Sequence, residues 1–126
     1  MITKFRAWMK QYEEMDNDIG EMYFEDGEFK YIGDDVHYKR LPEDVILMLS
    51  TGIKDKNGKE IFEGDIVKMA KDVYSEPTYY EVVRHYGGAY RLESKQHGCE
   101  LWLRHTDCEV VGNVYENQEY LKKRGN

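Results

Sequence analysis

The chain has 126 residues and a formal net charge of −7, a length that favours one compact domain. The negative charge argues against broad binding to DNA or RNA, which depends on a basic surface. No apolar run approaches the roughly 20 residues that cross a bilayer, and the N-terminus lacks the apolar stretch of a secretion signal. Two cysteines are too few for a disulfide framework, so we expect a cytoplasmic protein without a membrane span.

The N-terminal third has the pattern of short β-strands. Segments with strand-forming residues predict strands at residues 4–8, 22–24 and 29–32. The last two flank Asp26-Gly27, a pair that tolerates the positive φ angles of a tight turn, which predicts a hairpin. Residues 9–20 are acidic and polar and predict an exposed loop. We therefore expect an N-terminal β-hairpin region over residues 1–40.

The middle of the chain carries the clearest turn signal. The apolar run 45–49 follows Pro42 and fits either a short helix or a buried strand, with its residue types favouring the strand. Asn57-Gly58 then predicts a type I′ turn. Equally spaced about that turn are Ile53 and Ile61, which we expect to pair across the two strands of a second hairpin.

The C-terminal half repeats strand patterns and ends in a helical signal. Further strands are predicted at residues 66–69, 80–86, 89–93, 101–103 and 109–115. Gly87-Gly88 predicts a third hairpin. Asn117 is a candidate N-cap for a short helical turn that ends in the basic cluster Lys122-Lys123-Arg124.

These patterns together predict a mostly β fold. Short strands separated by turns every 8 to 12 residues are typical of barrels and sandwiches. We expect a small, partly open SH3-like barrel over residues 45–117, preceded by the N-terminal β-hairpin region and followed by a tail over 118–126 that holds the short C-terminal helical turn.

Two histidines and two cysteines raise the question of a metal site. His97, Cys99, His105 and Cys108 are the ligand types of a tetrahedral zinc site. Their spacing, H-x-C and then H-x-x-C after five residues, matches no standard zinc pattern, and a strand at 101–103 would carry the two pairs apart. Two buried thiols and two surface imidazoles are the favoured interpretation, with metal binding left open.

The sequence gives little support for catalysis. Cys99 and Cys108 lack a recognised local frame with a histidine base. The serines lack the G-x-S-x-G elbow, and no glycine-rich nucleotide-binding pattern is present. No catalytic residue, cofactor or metal ligand is assigned, and a non-enzyme is favoured.

Aromatic residues on or beside predicted strands are the remaining candidates for a binding surface. Together with nearby arginines they are Tyr79, Tyr80, Arg84, Tyr86, Tyr90, Arg91 and Trp102. Aromatic rings beside cationic groups are typical of single-strand binders. Alternating tyrosines also fill cores with their hydroxyl groups at the rim, and this second interpretation is favoured.

One long segment resembles a known family. Residues 51–67, TGIKDKNGKEIFEGDIV, resemble the signature of the YopX family of phage and prophage proteins, and residues 4–8 and 110–117 resemble its opening and closing strands. The resemblance implies a small, mostly β protein encoded by phages and mobile elements, without an assigned activity or catalytic residues. Residues 70–105 match the family pattern least, which points to partner specificity there.

We therefore expect a single YopX-like domain over residues 1–126 that acts as a non-enzymatic binding module in the cytoplasm of a bacterial host cell. A protein partner is favoured over nucleic acid, no membrane contact is expected, and self-association is left open because small β domains pair their edge strands. The alternatives are a β-barrel that binds single-stranded nucleic acid and a metal-assisted hydrolase.

Overall fold

The structure is a computed structural model, and it describes residues 4–17, 19, 21–33, 41–70, 74–85, 88–95 and 98–122. The chain divides into two compact units, Met1–Leu49 and Ser50–Asn126. One long strand, β5 (Val45–Lys54), runs through the boundary. Among the described residues, no helix is long and apolar enough to span a membrane.

Unit 1 is built from antiparallel strands. They are β1 (Phe5–Met9), β2 (Glu14–Asp16), β3 (Glu21–Glu25), β4 (Glu28–Gly33) and the first half of β5, which follows a 3₁₀ turn at Pro42–Asp44. Strand β1 pairs with β2 on one side and with β5 on the other, while β3 and β4 form a separate two-stranded sheet. Ala7, Ile32 and Val45 form a buried cluster in the core of this unit.

Unit 1 confirms three predictions and overturns one. Strand β1 and the strand over the apolar run at 45–49 are present, and the hairpin of β3 and β4 turns at Asp26 and Gly27, whose φ angles are 54° and 81°. The prediction of a loop throughout residues 9–20 was wrong, because Glu14–Asp16 forms β2 against β1. Backbone hydrogen bonds make this edge strand, so acidic side chains do not prevent it.

Unit 2 contains the second half of β5 and six more strands. They are β6 (Glu60–Phe62), β7 (Asp65–Met69), β8 (Thr78–Arg84), β9 (Tyr90–Glu93), β10 (Gly98–Glu100) and β11 (Glu109–Asn113), with helices α1 (Leu101–Arg104) and α2 (Glu119–Lys122). Strands β7 to β11 form an antiparallel sheet in the order β10-β9-β8-β7-β11. The predicted mostly β fold with a partly open, barrel-like sheet and a short C-terminal helix is confirmed.

Alternation along the strands builds the core of unit 2. Val67 lies opposite Tyr80, and Val82 lies opposite Leu92, so these four side chains project from the same face of the sheet. All four are buried, in one cluster with Ile61, Met69, Leu101 and Cys108. Burying each aliphatic side chain of this kind stabilises the fold by about 2 kcal/mol.

The hairpin at Asn57-Gly58 is confirmed, although its turn type was wrong. Gly58 has a φ of +83°, whereas Asn57 does not have the positive φ of a type I′ turn. Gly58 donates its N–H to the Asp55 carbonyl at 3.0 Å, and Asp55 donates its N–H to the carbonyl of Lys59 at 2.8 Å. The loop therefore has three residues and ends in a left-handed glycine. Ile53 packs on the cluster that contains Ile61.

The segment 101–103 is helical rather than a strand. Leu101 is fully buried, whereas Trp102 and Leu103 are exposed, and α1 continues into a 3₁₀ turn at His105–Asp107. A run of three apolar residues is too short for its periodicity to distinguish a helix from a strand. This correction changes which side chains of the segment face outward.

The last two local predictions have different outcomes. Strands β8 and β9 form the predicted hairpin, in which His85 donates its N–H to the Ala89 carbonyl at 2.7 Å. Asn117 accepts the N–H of Tyr120 in α2 with its backbone carbonyl at 3.1 Å, and its Oδ1 accepts the backbone N–H of Asn113 at 3.1 Å. Lys122 ends α2, and the rest of the basic cluster lies outside the described residues.

Candidate interaction surface

The aromatic residues proposed from the sequence do not share one face. Tyr80 projects into the core of unit 2, and Tyr90 packs against that core. Tyr79 precedes Tyr80 in β8, and Arg91 follows Tyr90 in β9, so these two project from the opposite face of the sheet. Tyr86 lies outside the described residues.

Burial and stacking account for three of these tyrosines. Burial raises the pKa of Tyr80 and of Tyr90 above the ordinary value, as expected when a phenol packs in or beside a core. The ring of Tyr79 stacks on that of Tyr120 in α2, with 5.0 Å between centroids and 22° between planes. Core packing and helix docking therefore occupy these rings.

The two arginines of the set are next to carboxylates. Arg91 Nη1 donates to Glu100 Oε1 at 2.8 Å, and Arg84 Nε lies 3.7 Å from Glu63 Oε2. Each positive charge is thus balanced by a neighbouring acid. A groove for nucleic acid requires cations that remain available to phosphate, and this pairing gives it no support.

Trp102 is the member of the set that stands out on the surface. Trp102 is 64% exposed and the adjacent Leu103 is 59% exposed, whereas Leu101, the residue before Trp102, is fully buried. Helix α1 therefore points one apolar residue inward and presents two outward. Leu103 was missed from the sequence, because a strand at 101–103 would have placed it on the same face as Leu101.

The support beneath this exposed pair is fixed. Cys108 is fully buried, and its Sγ donates to the Arg104 carbonyl at the end of α1 with a separation of 3.3 Å. Arg104 Nε donates to Asp107 Oδ2 at 3.1 Å. The backbone that carries Trp102 and Leu103 is thus held by a buried thiol and an exposed ion pair.

The candidate metal ligands among the described residues are Cys99, His105 and Cys108. Among the described residues, no group of three or more His, Cys, Asp or Glu could hold a metal ion; His97 lies outside them. His105 Nδ1 is 2.8 Å from the Lys54 carbonyl. Burial raises the pKa of Cys99 and raises that of Cys108 to about 12. Reactive cysteines have a lowered pKa, so these thiols have the opposite environment.

A cleft on the sheet face opposite the core was also missed. Glu81 in β8 lies directly opposite Glu93 in β9, and a cleft of about 290 Å³ is lined by Glu81, Glu93, Ser94, Lys95 and Leu121. Burial, followed by the charge of Glu93, raises the pKa of Glu81. Only the strand register brings the two carboxylates together, since they are 12 positions apart in the sequence.

Comparisons with known proteins agree on one family. The model of the YopX protein family matches residues 4–122. The crystal structure of protein EF1440 from Enterococcus faecalis is 29% identical, with a TM-score of 0.60, and that of protein yopX from Bacillus subtilis is 25% identical, with a TM-score of 0.69. Each match covers 96% of this chain and 99% of the other. A search of the curated proteins found no match. The chain belongs to the YopX family.

Proposed function

We propose that this YopX-family protein is a non-enzymatic binding module that contacts a protein partner through Trp102 and Leu103. The observation that carries the proposal is the exposure of these two adjacent large apolar side chains on a turn anchored by buried Leu101 and Cys108. Tryptophan is enriched among the residues that dominate binding energy at protein interfaces. Two neighbouring apolar side chains on a fixed backbone can enter a partner's pocket with little loss of conformational freedom.

The surroundings of the pair favour a protein over a nucleic acid. Arg104 on the same helix is bound to Asp107, and Arg91 is bound to Glu100. With these cations balanced, apolar burial rather than phosphate contact supplies the binding energy. The raised pKa values of Cys99 and Cys108 argue against a catalytic thiol, because a nucleophilic cysteine requires the opposite shift.

The proposal also covers the origin of the protein and the compartment in which it acts. The resemblance of its central segment to a family of phage and prophage proteins supports an origin in a mobile element. Cys99 and Cys108 are both free thiols, which supports the reducing cytoplasm of a bacterial host as the place of action.

The test is the affinity for a partner captured from a bacterial host lysate and then purified. We expect Trp102→Ala and Leu103→Ala each to weaken binding at least about tenfold, which corresponds to about 1.4 kcal/mol. Tyr12→Ala is the matched control, because Tyr12 is also an exposed aromatic residue and lies in unit 1. It should change the affinity less than about twofold.

Three outcomes would overturn the proposal. The first is an unchanged affinity in the Trp102 and Leu103 variants. The second is binding of a single-stranded oligonucleotide, at about 50 mM salt, that those variants abolish. The third is turnover of a substrate by the purified protein. If sedimentation shows a dimer that Trp102→Ala dissociates, the protein partner is a second copy of this chain.

A further inference from the structure

The hairpin of β3 and β4 in unit 1 presents a second aromatic surface. Met22 lies opposite Ile32, and both belong to the core of the unit, Ile32 as a buried residue. The next pair along the hairpin is Tyr23 opposite Tyr31, so these tyrosines project from the other face. Their rings stack with 5.1 Å between centroids and 21° between planes, and Tyr23 is 43% exposed. We call this the outer face of the hairpin.

Carboxylates lie at the tip of the hairpin, beyond the stacked rings. The register shifts by one residue between Tyr23 and Phe24, with the extra residue in β4. Glu25 is two residues beyond Tyr23 in β3, which has no extra residue, and lies opposite Glu28, the neighbour of core-packed Phe29. Both carboxylates therefore project from the outer face at the tip of the hairpin. Asp26 in the turn is also exposed. Lys30 Nζ is 3.1 Å from Glu28 Oε2, and both side chains are well exposed. Glu25, Asp26 and Glu28 outnumber Lys30, so the tip keeps a net negative charge.

These charges select among three classes of occupant. A nucleic acid would bring phosphates against Glu25 and Glu28, which disfavours it. A second copy of the chain would bring the same carboxylates face to face, which also disfavours it. A cationic side chain meets both an aromatic face and carboxylate acceptors. Arginine fits best, because its planar guanidinium stacks on an aromatic ring while its N–H groups donate to a carboxylate.

We propose that the outer face of this hairpin binds an arginine side chain from a basic segment of a partner protein. The guanidinium stacks on the exposed ring of Tyr23 and donates hydrogen bonds to Glu25 at the tip. This surface belongs to unit 1 and does not depend on the proposed role of Trp102 and Leu103 in unit 2. Either proposal can therefore fail without affecting the other.

The experiment titrates the full chain with three capped hexapeptides, of arginine, of lysine and of alternating glycine and serine. Binding is followed by calorimetry and by the ring signals of Tyr23 in NMR spectra at about 50 mM salt, where charge attraction is weakly screened. We expect the arginine peptide to bind about threefold or more tightly than the lysine peptide. The glycine–serine peptide should not bind, and the Tyr23 signals should move with the arginine peptide.

Three variants locate the site. Tyr23→Leu and Glu25→Gln should each weaken binding of the arginine peptide at least about fivefold. Tyr23→Phe keeps an aromatic face and should bind within about twofold of the original chain, which separates loss of the ring from loss of the hairpin. Glu43→Gln removes an exposed carboxylate elsewhere in unit 1. It should also bind within about twofold.

The proposal fails if Glu43→Gln weakens binding as much as Glu25→Gln, because the peptide would then be attracted by net charge alone. It also fails if the three peptides bind equally, or if Tyr23→Leu has no effect while NMR shows the Met22–Ile32 contact intact. A dimer in sedimentation that Tyr23→Leu dissociates would identify a second copy as the occupant and overturn the proposal as well.

Discussion

The Asp55 carboxylate accepts the backbone N–H of Val110 at 2.8 Å, although the two residues are 55 positions apart in the sequence. Its other oxygen accepts the N–H groups of Asn57 and Lys59, each at 2.9 Å. One buried side chain thus closes the turn of the β5–β6 hairpin and attaches it to β11. Burial by itself raises the pKa of Asp55, but the three N–H donors outweigh burial and lower it.

Removing the Asp55 carboxylate should therefore destabilise unit 2 markedly. We expect Asp55→Ala to lower the free energy of unfolding by about 3 kcal/mol, because three N–H groups lose their acceptor. Asp55→Asn retains one oxygen and should lose about half as much. Urea denaturation measures both changes. Glu119→Gln, at an exposed carboxylate of the same unit, should stay within about 0.5 kcal/mol, and an equal loss there would contradict the role assigned to Asp55.

The same carboxylate predicts how stability depends on acid. Because the pKa of Asp55 is lower in the folded state, its contribution is present above the unfolded pKa of about 3.9 and is lost as the pH falls through the folded pKa. Urea denaturation from pH 7 down to pH 2 should show a steeper loss of stability for the original chain than for Asp55→Asn. Parallel profiles would show that Asp55 is not the group responsible.

The Glu81–Glu93 pair should produce the opposite dependence on pH. The pKa of Glu81 is raised in the folded state, so its stabilising contribution is complete below the unfolded pKa of about 4.3 and is lost as the pH rises through the folded pKa. Glu81→Gln should therefore be more stable than the original chain at pH 7, by about 0.5 kcal/mol. The difference should disappear below about pH 4.

A double-mutant cycle tests whether the two carboxylates act on each other. Glu93→Gln should relieve the repulsion, so Glu81→Gln should gain less in that background than alone, and the remaining gain reflects the burial of Glu81. Thermal unfolding at pH 4 and pH 7 gives all the required values. Fully additive gains would mean that each carboxylate is destabilised by burial independently of the other.

The two cysteines should differ sharply in reactivity. Cys108 is fully buried, and burial raises its pKa to about 12, so its thiolate is negligible at neutral pH. We expect iodoacetamide at pH 8 to leave Cys108 unmodified until the chain unfolds, and to modify half-buried Cys99 more slowly than a free thiol. Peptide mass spectrometry assigns each site. Rapid alkylation of native Cys108 would contradict both its burial and its raised pKa.

Gly112 should be required by its neighbour rather than by its backbone angles. A Cβ built at Gly112 would overlap the side chain of Asn117, which is held by the N–H of Asn113. Gly112→Ala should therefore cost about 2 kcal/mol. Asn117→Ala loses only the hydrogen bond, about 1 kcal/mol. The double variant should resemble Asn117→Ala alone, and additive losses in denaturation would point to another cause.

The backbone angles of a turn were predictable from the sequence where a single dipeptide determines them. Asp26-Gly27 adopts the two positive φ angles that the sequence predicts. Asn57-Gly58 carries the same kind of signal, but the Asp55 carboxylate competes for the N–H groups of the loop and shifts it to a three-residue turn. The hairpin was predictable because β5 and β6 still pair when the turn has three residues instead of two. The turn type depends on the Asp55 side chain, which is bound to Val110 in β11.

The candidate surfaces were less predictable than the fold. Trp102 was identified as aromatic and near a strand, but Leu103 was missed because α1 replaces the expected strand. The pairing of Glu81 with Glu93 and the balancing of Arg91 by Glu100 follow from the register of β8, β9 and β10. Register between strands is set by core packing along the whole sheet, which no short segment encodes.

The mostly β class and the three hairpins were predictable from the residues, because they depend on alternation and turn residues that act locally. The resemblance to a family signature rests separately on the match of residues 51–67. The tertiary structure decided the rest. It divided the predicted aromatic set between two faces of one sheet, placed Trp102 outward on a helical turn, and bound Asp55 to Val110. The Asp55–Val110 hydrogen bond joins segments 55 positions apart, so its geometry exists only after the sheet has formed.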